Sequence, residues 1–304
     1  MGIKKTIFIL LLLTGNANAD SSAIIELTSN SHRPGTALIV SKAERKLKVW
    51  TLENNIPKLA FTTDVDIGKG SGVKIKRGDM KTPEGVYFLI GEKMPPEIPA
   101  NIYGDLAFIT NYPNYFDRLQ GKTGNGIWLH AVPDPVPLTR GSKGCVVVKN
   151  NVIKKLQSYI KLGHTALVIL DNENEITERQ RLELKKKVRS FVGAWKNAWE
   201  TQDIEKFLGF YSSKFKGYGM NLNQWAEYKK KIATQNKGAH IEQRDFNILQ
   251  FNNQFVVLFS QLFESPSFKD EGDKILYLGM DGQELKIQSE EFLKEKVGLK
   301  KKSI

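Results

Sequence analysis

Cysteine is the rarest residue of the chain: the 304 amino acids include one, Cys145. A lone sulfur excludes an intramolecular disulfide, a thiolate-built zinc site and an iron–sulfur cluster, because each of these needs at least two. Internal repeats and low-complexity segments are absent as well. With 40% hydrophobic and 26% charged residues, the composition excludes wholesale disorder, and the length suffices for two ordinary domains.

The chain also lacks an apolar run long enough to span a bilayer. The N-terminal run, Ile7–Leu13, follows Lys4 and Lys5, and it precedes the small-residue sequence Ala17-Asn18-Ala19. A basic start, a short apolar core and a small-x-small site are typical of a secretory signal peptide, so residues 1–19 are predicted to be removed on export. The alternative is an uncleaved anchor. No cysteine follows the cleavage site, which excludes lipid attachment, and we expect no integral membrane span in the mature protein.

Positive charge predominates, since 45 Lys and Arg against 33 Asp and Glu give +12 at neutral pH. In the cytosol such a balance would suggest a nucleic-acid partner. An exported protein meets anionic wall polymers and lipid headgroups instead. We therefore expect no nucleic acid among its partners.

Residues 36–171 are predicted to form a mainly β domain. Short β-rich runs alternate with Gly, Pro and Asn, and each has the length of an ordinary strand. Thr36–Val40 and Lys46–Leu52 are predicted to pair as a hairpin. Asn150–Leu162 has apolar residues at helical spacing, and Thr165–Leu170 is typical of a buried strand. The other predicted strands are Phe61–Ile67, Val86–Ile90, Leu106–Thr110, Gly126–Leu129 and Val146–Val148.

A polar stretch at residues 171–175 marks the boundary to a second domain, predicted over residues 177–304. Thr177 and Gln180 are spaced as a capping box for a long helix that ends near Thr201. Shorter helices follow, and then strand-like runs, an order that predicts an α+β domain. The shorter helices are Asp203–Ser212 and Leu222–Gln235, and the strand-like runs are Gln243–Phe251, Gln254–Glu264 and Lys274–Met280.

One histidine and the single cysteine lie at the ends of successive predicted strands. His130 ends one strand, and Cys145 begins the next after a turn bracketed by Gly141 and Gly144. A thiol with a reference pKa of about 8.5 needs a nearby base to form the nucleophilic thiolate at neutral pH, and His130 is the obvious candidate. Backbone amides around Gly144 and Cys145 are candidates for binding an oxyanion. The alternative is that Cys145 is an inert buried side chain and His130 is structural.

Two segments resemble the signature of the YkuD-type L,D-transpeptidases, which acylate a cysteine with a peptidoglycan stem peptide. The first is Ser142-Lys143-Gly144-Cys145 with His130 upstream, and the second, Gly78–Tyr87, resembles the family's G-D-x-x-T-P-x-G-x-Y segment. The resemblance implies a β-sandwich catalytic domain with a flanking helix, and wall chemistry outside the cytoplasmic membrane. It also implies Cys145 as nucleophile, His130 as general base, and neither a metal nor another cofactor.

The sequence departs from this family at two positions near the site. Many members have glycine after the histidine and arginine two residues after the cysteine, where this chain has Ala131 and Val147. Arg140 or Lys143 is therefore a candidate for binding the substrate, the alternative being that both are simply solvated. Ala131 is a third candidate substrate contact. Ser142 is predicted either to orient the histidine as part of the catalytic group or to cap the turn.

Phe191–Trp199 and Phe207–Phe215 resemble the opening helices of a nuclear-transport-factor-like cone domain. A YkuD-type domain followed by such a domain is similar to the cell-shape L,D-carboxypeptidases of curved and helical Gram-negative bacteria. This resemblance implies a periplasmic enzyme that removes terminal D-Ala from tetrapeptide stems and leaves tripeptides. The alternatives are an L,D-transpeptidase that forms 3-3 cross-links or attaches proteins to the wall, and a non-catalytic wall-binding scaffold. The implied partners are peptidoglycan and, through the second domain, other wall or cell-shape proteins.

Two further segments were considered for a functional role. Residues 94–115, rich in Pro, Asn and Tyr, are predicted to form a lid or substrate wall, or only a surface excursion. Gly68–Gly72 is glycine-rich but lacks the Gly-Lys-Ser/Thr ending of a phosphate-binding loop, so it is not predicted to bind nucleotides.

Overall fold

The structure is a computed structural model, and it describes residues 20–30, 33–139, 141–235 and 237–294. The predicted signal peptide, residues 1–19, and the candidate substrate-binding residue Arg140 lie outside the described residues. None of the helices in the described ranges is long and apolar enough to cross a membrane.

Strands predominate over helices in both halves of the chain. The elements of the first half are β1 (Asp20–Ser21), β2 (Ile24–Glu26), β3 (Ala37–Ser41), β4 (Lys46–Glu53), β5 (Ile56–Asp64), β6 (Gly85–Lys93), α1 (Ala100–Tyr103), β7 (Ala107–Thr110), α2 (Tyr115–Leu119), β8 (Trp128–Val132), β9 (Val146–Lys149), α3 (Asn150–Gln157) and β10 (Ala166–Leu170). Those of the second half are β11 (Glu175–Ile176), α4 (Glu178–Glu200), α5 (Ile204–Gly209), β12 (Lys216–Gly217), β13 (Met220–Asn221), α6 (Leu222–Ala233), β14 (His240–Phe251), β15 (Gln254–Ser265), β16 (Phe268–Asp281) and β17 (Glu284–Lys294).

The N-terminal domain is built on eight strands in the order β5-β4-β3-β10-β6-β7-β8-β9. Strand β6 is common to the two halves of this sheet, and its register with β7 shifts between Leu89 and Gly91. The two halves share one apolar core, to which Leu38 belongs on one side and Leu129 on the other. Helix α3 adds Ile153 and packs against β8 and β9. The predicted β-sandwich with a flanking helix is confirmed.

The C-terminal domain is a five-stranded antiparallel sheet in the order β17-β16-β15-β14-β2. Helices α4, α5 and α6 cover one face of it through a cluster of aromatic side chains, and the predicted α+β cone fold is confirmed. The cluster consists mainly of Trp195, Trp199, Phe207, Tyr211, Phe215 and Trp225. Strand β2 comes from the N-terminal segment ahead of the first domain, which the sequence analysis did not foresee. The chain therefore contributes one strand to the second domain's sheet before it forms the first domain.

The long helix α4 begins where the sequence predicted. The Thr177 side chain accepts a hydrogen bond from the Gln180 backbone, and the Gln180 side chain accepts one from the Thr177 N–H at 2.9 Å. Each side chain satisfies a backbone donor that the first turn of a helix leaves free, so the capping box predicted from these residues is confirmed.

One predicted strand, Phe61–Ile67, was placed too late in the sequence. The observed strand β5 starts at Ile56 after a turn in which Asn54 and Asn55 have positive φ, and it ends at Asp64. Beyond it, the Asp66 backbone exchanges two hydrogen bonds of 2.8 Å with Val147 on β9. After Asp64 the chain separates from β4, because the backbone of Asp66 pairs with β9 beside the candidate site.

The two domains share an apolar layer between their sheets. Along β15 the side chains alternate: Val256 and Leu258 lie in this shared layer, while Val257 points into the aromatic core under the helices. Along β10 of the first domain, Val168 lies in the shared layer and Leu167 in the sandwich core. A strand that is buried on both faces has apolar residues at nearly every position, which explains the unbroken apolar runs in these segments. The shared layer holds the domains in one arrangement.

Truncating a large side chain of the shared layer should therefore destabilise both domains. The Phe116 ring of α2 lies 5.7 Å from the ring of Tyr277 on β16, centroid to centroid. We expect Phe116→Ala to lower the free energy of unfolding by about 3–5 kcal/mol, the usual range for a buried phenylalanine. Denaturant unfolding, followed by tryptophan fluorescence and by circular dichroism, should show one transition displaced in both signals. Leu119→Ala on the same helix is the control, because that side chain is 40% exposed. Two separate transitions, with that of the C-terminal domain unchanged, would contradict a shared layer.

Candidate active site

His130 and Cys145 come from adjacent parallel strands. His130 lies in the middle of β8, and Cys145 directly precedes β9, which pairs with β8 so that His130 is opposite Val147. Because side chains alternate along a strand, His130, Cys145 and Val147 share one face, while Leu129 points into the sandwich core. Cys145 lies two residues before Val147, the partner of His130, and is therefore a diagonal neighbour of His130 on that face. The topology thus brings the two predicted residues together.

The His130 ring is held in one orientation. Its Nδ1 lies 2.8 Å from the Ala131 carbonyl oxygen, which can only accept, so Nδ1 carries the proton and Nε2 keeps a free lone pair. The Tyr103 ring of α1 contacts the imidazole edge-on, with centroids 5.0 Å apart. Burial lowers the pKa of His130, against opposing effects of the Ala131 carbonyl and the charge of Asp66. The imidazole is therefore neutral at physiological pH, with Nε2 available as a base.

The Cys145 thiol is half-buried and donates to the Gly126 carbonyl over 3.5 Å. Burial raises the pKa of this thiol, while the Trp128 backbone N–H and the positive charge of Lys74 act in the opposite direction. Both shifts favour the uncharged forms of the two side chains, a thiol and a neutral imidazole.

The turn before Cys145 is closed by Ser142. Its hydroxyl donates to the Cys145 carbonyl at 2.7 Å and accepts from the Gly144 N–H at 3.1 Å. Ser142 thus caps the turn, and its hydroxyl makes no hydrogen bond to His130. The Gly144 amide, expected to face an oxyanion, is already engaged by Ser142. Within the described part of the chain the Cys145 N–H has no partner, and it is the amide left to bind an oxyanion.

The segment that follows β5 braces this turn from one side. The Asp66 carboxylate accepts from the Gly141 N–H at 2.6 Å, and the Lys69 N–H donates to the Ser142 carbonyl at 2.9 Å. Asp66 is buried, and its charge acts on His130 as well. The Asp66 carboxylate thus binds the turn that carries Cys145 and also raises the pKa of His130.

The segment Gly78–Tyr87, which carries the second motif, braces the turn from the other side. The buried Thr82 hydroxyl accepts from the Gly68 N–H at 2.8 Å, and the Lys81 carbonyl lies against Gly144. Asp79 accepts from three backbone N–H groups and from Lys74, and these bonds hold its pKa well below the usual range although burial opposes them. A methyl group at Gly68 would come within 2.3 Å of the Met80 carbonyl oxygen. The glycine-rich segment therefore packs closely against the segment that carries the second motif.

Three predicted substrate contacts have different positions. Lys143 is exposed on the turn, and Arg140 lies outside the described residues. The Ala131 side chain is fully buried in the sandwich core, on the opposite face of β8 from His130, so it does not line the site. Its backbone carbonyl is the part of Ala131 that serves the site, since it fixes the histidine tautomer.

Residues 94–115 are not a free loop, because they include α1 and the sheet strand β7. They nevertheless form a wall of the site, since α1 places Tyr103 against both His130 and Trp128. The sequence analysis did not identify Tyr103, Asp66 or Lys74. The available signals were weak: Tyr103 lay within a segment considered as a lid, and Asp66 and Lys74 flanked the glycine-rich stretch before the second motif.

The C-terminal domain has a cavity of its own, with a volume of about 680 Å³ and nine aromatic residues among the nineteen that line it. The Lys229 amine lies over the Trp199 and Trp225 rings, at 4.1 and 4.5 Å from their centroids, and burial lowers its pKa to about 7. No residue of the Cys145 turn lines this cavity. Among the described residues no group of three or more His, Cys, Asp or Glu side chains is placed to hold a metal ion.

Both domains match known families. Residues 35–169 match the L,D-transpeptidase catalytic domain family, YkuD, and residues 187–291 match the Cds6 C-terminal NTF2-like domain family. No curated protein matches the chain.

Two solved structures are similar along nearly the whole chain. The structure of Bdellovibrio bacteriovorus Bd1075 has 40% sequence identity and a TM-score of 0.81, and the match covers 91% of this chain and 99% of that one. The helical cell shape determining protein Pgp2 from Campylobacter jejuni has 28% identity and a TM-score of 0.68, and the match covers 89% of this chain and 96% of that one.

The close packing of Gly144 predicts that alanine is not tolerated there. Gly144 has φ +127°, and a Cβ would lie 2.7 Å from the Lys81 carbonyl oxygen. We expect Gly144→Ala to cost about 1–3 kcal/mol of stability and to reduce the rate of Cys145 alkylation by iodoacetamide at least several-fold, because the turn must shift. Gly121→Ala is the control: it has φ +69° but open space around the Cβ position, so it should keep the alkylation rate. A wild-type melting temperature and alkylation rate in Gly144→Ala would refute the tight contact.

The neutral thiol–imidazole pair predicts the pH dependence of cysteine reactivity. Burial raises the pKa of the Cys145 thiol, so the thiolate fraction is small at pH 7 and increases only as the pH passes the folded-state pKa. Iodoacetamide alkylation should be slow at neutral pH, with a midpoint above the value of about 8.5 for a free thiol. The same chain unfolded in urea, with the same single cysteine, provides the control midpoint. A plateau of high reactivity reached below pH 7 would instead indicate a preformed thiolate–imidazolium pair.

Proposed function

Because the chain belongs to the YkuD family of L,D-transpeptidase catalytic domains and continues into a Cds6-type NTF2-like domain, we propose that it is a cysteine-dependent L,D-carboxypeptidase of the bacterial cell wall. The substrate in this proposal is a peptidoglycan tetrapeptide stem, from which the enzyme removes the terminal D-Ala. The observation that supports it most is the shared face of β8 and β9, where a histidine with a free Nε2 lies beside the single cysteine.

The proposed reaction passes through a thioester. His130 Nε2 takes the thiol proton as the Cys145 sulfur attacks the carbonyl carbon of the third stem residue, and the Cys145 N–H stabilises the oxyanion. The carbon–nitrogen bond then breaks, and the imidazolium gives its proton to the departing D-Ala amine. Water attacks the thioester while His130 accepts one of its protons. Release of the tripeptide carboxylate returns the proton to the sulfur.

Cross-linking is the second candidate function, favoured by the match to a transpeptidase domain family. The same thioester would then be attacked by the side-chain amine of another stem, giving a 3-3 cross-link. Trimming takes precedence in our proposal because the two-domain architecture resembles that of the cell-shape carboxypeptidases, and because the chain is similar to a helical cell shape determining protein along most of its length.

We further propose that the protein modulates cell shape from the periplasm, with residues 1–19 directing export. Peptidoglycan lies outside the cytoplasmic membrane, so an enzyme of this substrate class has to be exported. The C-terminal domain is proposed to contact other wall or cell-shape proteins, and its aromatic cavity supports a binding role.

Digestion of purified disaccharide tetrapeptides, analysed by liquid chromatography and mass spectrometry, tests the proposal. Disaccharide tripeptide and free D-Ala should accumulate in equal amounts. Cys145→Ala should lower the rate by about three orders of magnitude or more, and His130→Gln by about 10²–10⁴, with folding retained. Lys58→Ala, an exposed change on β5, is the control and should keep wild-type activity. Dimers with 3-3 links as the main product would establish cross-linking instead, and unchanged turnover in Cys145→Ala would overturn both candidates.

A further inference from the structure

Arg45, in the turn between β3 and β4, is joined by hydrogen bonds to the segment that leads into the cysteine turn, and the mechanism above does not use it. Its Nη2 donates to the Leu138 carbonyl oxygen at 2.6 Å and to Asp66 Oδ1 at 3.3 Å. The Arg45 carbonyl accepts from the Val65 N–H at 2.9 Å, which places the arginine beside Asp66. One guanidinium nitrogen thus connects two distant parts of the chain.

Asp66 extends this connection to the cysteine turn itself. Its Oδ2 accepts from the Gly141 N–H at 2.6 Å, and its backbone exchanges two hydrogen bonds of 2.8 Å with Val147, on the strand that follows the cysteine. Leu138 and Gly141 are three positions apart. Arg45 and Asp66 therefore hold the chain at two points just ahead of the cysteine, and the backbone of Asp66 holds it again just after.

The Asp66 carboxylate depends on Arg45 for its counter-charge. Asp66 is 6% exposed, and within the described ranges no cation other than Arg45 forms an ion pair with it. A buried carboxylate that loses its partner is strongly destabilised, so it turns towards solvent or takes up a proton. Either change weakens the bond to the Gly141 N–H, because an ionised acceptor makes the stronger hydrogen bond. Removal of the Arg45 charge should therefore loosen the turn at Gly141.

Two other groups hold the turn, but they act closer to the cysteine. The Lys69 N–H donates to the Ser142 carbonyl at 2.9 Å, and the Ser142 hydroxyl donates to the Cys145 carbonyl at 2.7 Å. Both bonds join neutral groups, and both lie on the cysteine side of Gly141. They close the turn on itself and against the glycine-rich segment, whereas Arg45 and Asp66 fix the point at which the chain enters it.

We propose that Arg45, acting through Asp66, is a positioning residue that fixes the turn of the proposed nucleophile, so that the Cys145 sulfur and N–H meet the substrate carbonyl in one geometry. Arg45 takes no part in proton transfer, and no covalent bond to it forms or breaks. The catalytic meaning of this role rests on the proposed function. The hold on the turn, by contrast, can be measured without any wall substrate.

The test uses a substitution that the backbone accepts at this position. Arg45 has φ +54°, a conformation that glycine adopts freely, so Arg45→Gly removes the guanidinium without straining the turn. Arg45→Lys keeps the positive charge. Lys46→Met is the matched control, because Lys46 is the next residue and pairs with Asp64 across β4 and β5 at 2.5 Å, an ion pair that does not include the cysteine turn.

Two properties would be measured for each full-chain variant. The first is hydrogen exchange of the backbone amides of residues 138–147, followed by mass spectrometry, and the second is kcat and KM on disaccharide tetrapeptide. Arg45→Gly should speed exchange of the Gly141 amide about tenfold or more, the factor expected for loss of one charge-assisted hydrogen bond. It should lower kcat by about 10–100-fold with little change in KM, because the nucleophile is displaced while the substrate still binds.

Rescue should follow the positive charge. Arg45→Lys should keep most of the exchange protection and of kcat. Millimolar guanidinium chloride, far below denaturing concentrations, should restore part of both properties in Arg45→Gly and leave the wild type unchanged. Lys46→Met should match the wild type in exchange and in kcat.

Wild-type exchange at Gly141 in a folded Arg45→Gly protein would overturn the proposal, and so would faster exchange with an unchanged kcat. Equal effects in Lys46→Met would also overturn it, because they would assign the effect to the hairpin. Should Arg45→Gly fail to fold, Arg45→Gln, which is neutral and of similar length, takes its place with the same changes expected. If the wild type does not process muropeptides but Arg45→Gly alone speeds exchange at Gly141, the proposed function fails and the hold of Arg45 on the turn stands.

Discussion

The apolar layer between the two sheets is the constraint on which the rest of the structure depends. Strands β3, β6 and β10 on one side and β15 and β16 on the other are buried on both faces, because alternate side chains serve the shared layer and a domain's own core. A register slip of one residue would exchange the two sets of side chains in both cores at once. The register of these strands is therefore strongly specified. Because β6 also pairs with β7, it fixes the positions of β7, β8 and β9, which carry the site.

The candidate site is rigid for a related reason. The turn before Cys145 is held by Asp66 on one side and by the Gly78–Tyr87 segment on the other, and Gly144 leaves no room for movement towards Lys81. Packing of this kind fixes the position of the thiol but also removes it from water, which raises the pKa of the thiol and lowers that of the imidazole. Both shifts favour the uncharged forms of the two side chains, so in the proposed mechanism charge would appear in the site only as the reaction starts.

In our proposal, trimming and cross-linking would proceed through the same thioester, so the residues that form it would not distinguish between them. The distinction would depend on which acceptor reaches the acyl group, water or the amine of a second stem. One wall of the site is α1, with Tyr103 against His130 and Trp128. In the proposed function this wall would limit the approach of the acceptor.

Much of the fold was predictable from local patterns. The hairpin of β3 and β4, the capping box of Thr177 and the helices of the second domain follow from alternation, helical spacing and capping chemistry, which depend on residues close in sequence. The pairing of β2 with β14 was not predictable, because three residues ahead of a whole domain carry no local sign of the sheet they join. The end of β5 was placed too late for the same reason, since Asp66 leaves its hairpin for a partner on β9, 81 positions further along the chain. The start of β5 was missed although it follows a local turn at Asn54 and Asn55.

By itself, the sequence determined that the chain has a single thiol, that His130 and Cys145 lie at or next to two successive strands, and that a mainly β domain is followed by an α+β domain. Only the tertiary structure decided that the two side chains share a face, that burial shifts both pKa values towards the uncharged forms, and that Asp66 braces the cysteine turn while Tyr103 contacts the histidine. The physical reason is range: strand and helix patterns arise from neighbouring residues, whereas burial and electrostatic effects on ionisation arise from groups that meet only when the sheets pack.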